Sequence, residues 1–322
     1  MKKLVLPGLL LLATLGVLAK DSGLAYVSSE KDDAITLVDL KTLAVAGHIP
    51  TCKRPRHLQR LPDATRLMVA CSDSGRADFI DLASRRSVGA MALGDDPEVF
   101  DLSPDGRLAY VSAEDDGALN VFDLVAKKQV ASVPVGKEPE GVKVSPDGRR
   151  VFVTSELANM VHVIDTATLQ VIKNIAVGKR PRRLAFGAGG RELWVSNELG
   201  SSVSIVSTAE LAVVATVRFE VKGMRADDVT PVGLMPSRDG RTMYVGLGRA
   251  NHVAFVDVAS RKTTQLVLVG KRAWGMALNR DGSRLFVVNG LSDDMTVIDT
   301  ARAQALKTMA VGRVPHTVVV DD

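Results

Sequence analysis

The chain repeats itself, and the repeat restricts its fold more than any other feature. Ser103-Pro104-Asp105-Gly106 returns 42 positions later as Ser145-Pro146-Asp147-Gly148. Asp239-Gly240 and Asp281-Gly282 carry the same turn, with Asp63-Ala64 and Gly189-Gly190 as degenerate copies. A second marker is an aromatic or large apolar residue followed by valine: Tyr26-Val27, Met68-Val69, Tyr110-Val111, Phe152-Val153, Trp194-Val195, Tyr244-Val245 and Phe286-Val287. A third is Asp39, Asp81, Asp123, Asp165, Ser207, Asp257 and Asp299. All three step by 42, except for one step of 50 between the fifth and sixth units. Each unit reads as four short β-rich runs, with Asp-Gly supplying a tight turn that needs positive φ. Helical periodicity is absent. A period near 42 with four strands per unit predicts β-propeller blades, because a lone four-stranded sheet cannot cover both of its faces.

Nothing like Ser-Pro-Asp-Gly precedes Tyr26, so the first unit lacks its opening strand. After Val311-Gly312 the chain continues as Val314-Pro315-His316-Thr317-Val318, which aligns with the opening strand of a blade at Glu138-Pro139-Glu140-Gly141-Val142. Seven units with the insertion need 302 residues, the length from Asp21 to Asp322. The expectation is an all-β, seven-bladed propeller spanning 20–322 as one domain, closed when the C-terminal strand completes the N-terminal blade. The insertion is assigned to 219–231.

Met1-Lys2-Lys3 followed by the apolar run Leu4–Leu18 reads as a secretory signal peptide over 1–19, cleaved after Ala19. The run is short for a span of ~20 residues. No span is expected in the mature chain, and the expected compartment is the periplasm. Without Lys2 and Lys3 the balance is 39 basic against 37 acidic residues. With aromatics at 4%, this argues against a nucleic-acid-binding surface. An oxidising compartment permits a disulfide between Cys52 and Cys71, which fall on one blade. Two free thiols, or a Cys/His metal site with His57 and His316 nearby, are the alternatives; no metal is expected. Cys-x-x-Cys-His, Gly-x-Ser-x-Gly and phosphate-loop patterns are missing.

Tyr110-Val111-Ser112, Phe152-Val153-Thr154-Ser155 and Trp194-Val195-Ser196-Asn197, with Val-Ile-Asp-Thr and Val-Gly-Lys-x-Pro around them, resemble the YVTN family of β-propellers. Within it, the chain looks similar to exported propellers associated with pyrroloquinoline quinone (PQQ)-dependent alcohol catabolism, which have seven such repeats and an enlarged loop before the sixth blade. The resemblance implies a periplasmic accessory role, carries no established catalytic residues, and suggests a quinoprotein dehydrogenase or its cytochrome as partner.

The loops leading into the innermost strands end at Pro55, Pro97, Pro139, Pro181, Pro231, Ala273 and Pro315. The next residue differs in almost every unit: Arg56, Glu98, Glu140, Arg182, Val232, Trp274 and His316. Aligned positions in a structural repeat normally converge, so this ring, with His57 and Arg183 beside it, is the candidate ligand-binding set at the channel mouth. Bases in these loops and acids in neighbouring ones suggest a basic collar inside an acidic rim. Such a collar suits a small anion, including PQQ with its three carboxylates. The functional expectation is a non-enzymatic binding or scaffold propeller. A lactonase-type hydrolase using the mouth residues is the alternative, and single-stranded nucleic-acid binding a weaker third.

Overall fold

The computed structural model describes residues 21–322; the expected signal peptide and its cleavage site at Ala19 lie outside them. Seven four-stranded antiparallel sheets surround a central axis. Blades 2 to 7 each take four consecutive strands, counted here from the axis outward. Blade 4, for example, runs Pro139–Val144, Arg150–Ser155, Met160–Asp165 and Gln170–Ala176. Blade 1 takes its innermost strand, Pro315–Asp321, from the C-terminus, paired antiparallel to Leu24–Ser29 with Leu24 opposite Asp321. The propeller therefore closes by strand exchange. No helix among the described residues is long and apolar enough to cross a membrane.

The aromatic-valine pair explains how blades adhere. Successive side chains on a strand point to opposite faces. On each second strand the large residue enters the gap to the next blade and the valine enters the gap to the previous one. Phe152 packs with Leu193 and Val195 of blade 5, while Val153 packs with Tyr110 and Val121 of blade 3. The buried apolar residues form seven clusters, one in each gap between blades.

The aspartate marker ends each third strand. Asp165 accepts from the backbone N–H of Ala167 and Thr168 at 3.0 and 2.9 Å, and Asp39, Asp81, Asp123, Asp257 and Asp299 cap their turns in the same way. These are Asx turns. In blade 5 the Ser207 hydroxyl takes the role at 3.2 Å.

The insertion carries a short 3-10 turn at Ala226–Asp228. Phe219, Val221 and Val229 tuck back into the gap between blades 5 and 6.

Candidate functional site at the channel mouth

Except in blade 6, where Val232 precedes the short strand Leu234–Pro236, the ring predicted from the repeat occupies the second position of the innermost strands. There the ladder slips: register shifts fall between Pro55 and Leu58, Pro97 and Phe100, Pro139 and Val142, Pro181 and Leu184, and Ala273 and Met276. Each slip leaves two residues out of register, namely 56–57, 98–99, 140–141, 182–183 and 274–275. Bulges of this kind re-aim side chains. The hydroxyl of the Tyr-Val-Ser motif holds them in place. Ser112 Oγ accepts from Val99 N–H at 3.1 Å and donates to the Glu140 carbonyl of the next blade at 2.7 Å. Thr154 Oγ1 accepts from Gly141 N–H at 2.7 Å and donates to the Arg182 carbonyl at 2.9 Å. Ser28 Oγ donates to the Arg56 carbonyl at 2.6 Å. The motif residues that carry the resemblance therefore also stitch the ring together.

The ring is buried rather than set on open loops. None of its seven members is more than 7% exposed, and Glu98 is at 0%. Together with Arg183 it forms a septum across the channel. A mouth cavity of about 330 Å³ lies on one side, lined by Arg56, Glu140, Arg182, Trp274 and His316 among others. A lower chamber of about 310 Å³ lies on the other, lined by His57 and Arg183, with Trp274 and His316 shared between the two. Glu98 lines neither; it sits behind Arg56, whose Nη1 donates to Glu98 Oε1 at 2.6 Å.

The septum is dense in charge. Arg182 Nη2 and Arg183 Nη2 each lie 3.4 Å from Glu140 Oε1. Arg182 also pairs with Glu156. His316 Nε2 lies 3.0 Å from Arg183 Nη2, and its Nδ1 lies 3.0 Å from Thr317 Oγ1. Since Nε2 can only accept from a guanidinium, the ring proton sits on Nδ1. Burial, then Arg56 and Arg183, hold His316 well below the usual imidazole range, so it is neutral at pH 7. Trp274 is clasped by guanidiniums, with Arg272 Cζ 4.2 Å and Arg182 Cζ 5.1 Å from its ring.

Two carboxyls are driven apart. Burial, reinforced by the charge of Glu140, pushes Glu98 up to about 9 against the pull of Arg56. Burial also opposes ionisation of Glu140, but Arg182, Arg183 and Arg56 outweigh it and hold Glu140 at about 2. At neutral pH one is a carboxylic acid and the other a carboxylate. Glu98 Oε2 and Glu140 Oε1 have no N–H or O–H donor among the described groups. A proton kept on Glu98, shared with Glu140 or Glu114, gives them one.

Sequence reasoning missed a second ring. Glu30, Ser72, Glu114, Glu156 and Glu198 also step by 42. Four of these five are glutamates, and three of them face arginines: Arg54 Nε to Glu30 at 3.6 Å, and Arg180 Nε to Glu156 at 2.7 Å and to Glu198 at 3.2 Å. The expected basic collar with a separate acidic rim is thus an interleaved network. The loop residues before the inner strands, Arg54, Asp96, Glu138, Arg180, Arg272 and Val314, all have φ between 40° and 62°, a strained geometry for non-glycine residues. Asp96, Glu98 and Glu114 bring carboxylate oxygens within 4.8 Å of one another, with Arg54 3.5 Å from Asp96 as countercharge.

Cys52 and Cys71 are joined by a disulfide with Cα atoms 5.8 Å apart, tying the loop that enters blade 2 to the end of its second strand.

The family model of seven-bladed β-propeller lactonases matches residues 165–321, and that of the cytochrome D1 haem domain matches 98–185. This chain is a seven-bladed β-propeller. Two solved structures cover it almost throughout. A hydrazine synthase chain of Kuenenia stuttgartiensis is 22% identical, with a TM-score of 0.77 over 87% of this chain and 93% of its own. The periplasmic gluconolactonase PpgL of Pseudomonas aeruginosa is 21% identical, with a TM-score of 0.77 over 93% and 99%. No curated protein matches the sequence. The lactonase match, which takes in Arg182, Trp274 and His316, corrects the expectation of a non-enzymatic scaffold and favours the lactonase-type alternative over it.

Proposed function

We propose that the protein is a lactonase-type hydrolase that opens a small, polar lactone at the channel mouth. The observation that carries this reading is the lactonase match over 165–321, which contributes Arg182, Trp274 and His316 to the mouth cavity. The likeness to a protein named as a periplasmic gluconolactonase points the same way. It also favours export, and with it the expected leader.

The chemistry follows from the split carboxyl pair. Environments that push two titratable groups apart assign acid and base. Ring opening needs a water activated on one side, charge stabilised on the carbonyl oxygen, and a proton for the leaving ring oxygen. Glu140, ionised, orients the water and takes its proton. Arg56 and Arg182 face the oxyanion, in a site too dry to screen them. Glu98 holds the proton that passes through Glu114, a mouth residue, to the ring oxygen. The water oxygen bonds to the carbonyl carbon, the ring C–O bond breaks as the ring oxygen takes that proton, the new carboxylic acid gives its own proton to solvent and leaves as a carboxylate, and the proton on Glu140 returns to Glu98. Neutral His316 and the Trp274 face, pinned by Arg272, shape the cavity wall.

This reading gives the resemblance to PQQ-associated propellers a chemical setting, since oxidation of a cyclic hemiacetal yields a lactone. The test is hydrolysis of glucono-1,5-lactone followed by proton release. Wild type is expected to turn over well above the spontaneous rate. Glu140→Gln should lose about 10²–10⁴-fold in kcat, and Arg182→Met about 10²–10³-fold. Turnover that persists in both variants, or none across five- and six-membered lactones, overturns the reading.

A further inference from the structure

The lower chamber is a second compartment that hydrolysis at the mouth does not use. It is walled by the fourth residue of the inner strands: Leu58, Phe100, Val142, Leu184, Met276 and Val318. Its far end carries Gln59, Asp101, Lys143 and Met235. There Asp101 is fully engaged, accepting from Lys143 at 3.0 Å, Gln59 Nε2 at 3.2 Å and Val144 N–H at 2.8 Å. That pair cancels its own charge.

The septum end differs. Arg183 lines the lower chamber and not the mouth. Among the described residues its one carboxylate partner is Glu140, shared with Arg182 and Arg56. Among the same residues Arg183 Nη1 finds no hydrogen-bond acceptor, and neither does Nε1 of Trp274, a side chain 6% exposed on the same septum. Burial and the neighbouring Arg182 and Arg56 disfavour the charge on Arg183, with Glu140 alone not enough to offset them. The two histidines of the chamber add no charge: burial, then Arg183 and Lys143, hold His57 at about 3, and His316 is neutral as above. His57 is fixed edge-on to Phe100 at 4.9 Å. The chamber thus has an apolar middle, the self-neutralised Asp101–Lys143 pair at its far end and, at the septum, an under-neutralised guanidinium whose Nη1, like Trp274 Nε1, lacks an acceptor among the described residues.

We propose that the lower chamber binds a small organic monocarboxylate with an apolar body, its carboxylate on Arg183 at the septum and its tail along the fourth-position wall. A polyanion is disfavoured, because the wall offers nothing to a second charge. A sugar is disfavoured, because few polar groups line the wall to replace the water on its hydroxyls. Because Arg183 faces away from the mouth, the site stands whether or not the mouth opens lactones.

The probes are sodium hexanoate and sodium benzoate, titrated calorimetrically into the full mature chain, with acetate, 1-hexanol and benzyl alcohol as matched controls. Saturable binding of hexanoate or benzoate is expected, at least about tenfold tighter than acetate and than the uncharged alcohols, since charge-assisted bonds and the buried tail both contribute. Arg183→Gln should weaken it about tenfold or more. Met235→Trp, which fills the far end without touching the septum, should do the same, while Leu291→Ala, an exposed position that lines only the mouth, should leave it unchanged. Binding no tighter than acetate overturns the proposal. So does binding that survives Met235→Trp or disappears in Leu291→Ala.

Discussion

Glu98 and Glu140 show how one ring of aligned positions comes to hold opposite chemistries. Both are buried glutamates one blade apart, yet Glu140 sees three guanidiniums and Glu98 chiefly one, together with the charge of Glu140 itself. The consequence for stability has a definite sign. The folded-state pKa of Glu98 is raised, so the folded chain holds a proton that the unfolded chain releases above its ordinary carboxyl range. That contribution is complete below about 4.5 and is lost as pH rises toward about 9. Glu98→Gln, which mimics the protonated form, should flatten the fall in stability between pH 5 and 9 seen by urea unfolding. An unchanged pH slope would show that Glu98 is ionised in the folded protein. The positions of Arg56, Glu98, Glu140, Arg182 and His316 were legible from the 42-residue step. Their burial and mutual pairing were not, because a sequence lists residues on seven different blades and only closure brings their ends to one axis. The glutamate ring at Glu30, Glu114, Glu156 and Glu198 carried the same signal in the same period. It was hidden by Ser72 and by glycines in the last two blades.

At the scale of elements, each four-stranded blade is built from rules that the sequence states openly: an alternating second strand, an Asx turn, and a tight turn closed by a left-handed residue. Gly106, Gly148, Gly240 and Gly282 take φ near 70°, and Ala64 takes φ 57° at the same place, which is why a degenerate Asp63-Ala64 still makes the turn. The bulges were not legible, since strand propensity does not mark where a ladder slips. They nevertheless decide which side chains reach the channel. Blade 2 departs from the rest in its covalent tie. Cys52 and Cys71 are 19 positions apart, and closing a loop of that order is worth about 2–4 kcal/mol. The double variant Cys52→Ser, Cys71→Ser should lower unfolding free energy by that amount in denaturant titration. It should also loosen the mouth loop at Arg54, whose carbonyl accepts from Ser72 N–H at 3.1 Å. A double variant as stable as wild type would show that the tie adds nothing to the fold.

For the whole molecule, repetition and function pull in different directions. Seven apolar clusters, one in each gap, hold the blades together, and the aligned positions differ most where each inner strand meets the axis. A seven-bladed ring offers seven independent choices at that point, and this chain has spent them on a charged partition with one compartment on either side. The account's central claim is that the lactone is opened on the mouth side of that partition. A crystal structure of the mature protein with gluconate, the ring-opened product of the test lactone, examines this most directly. The account predicts the product in the mouth cavity, with its carboxylate within hydrogen-bond reach of Arg56 and Arg182 and beside Glu140. Gluconate found only in the lower chamber or on the outer faces of the blades, with the mouth occupied by solvent at saturating concentration, would contradict it.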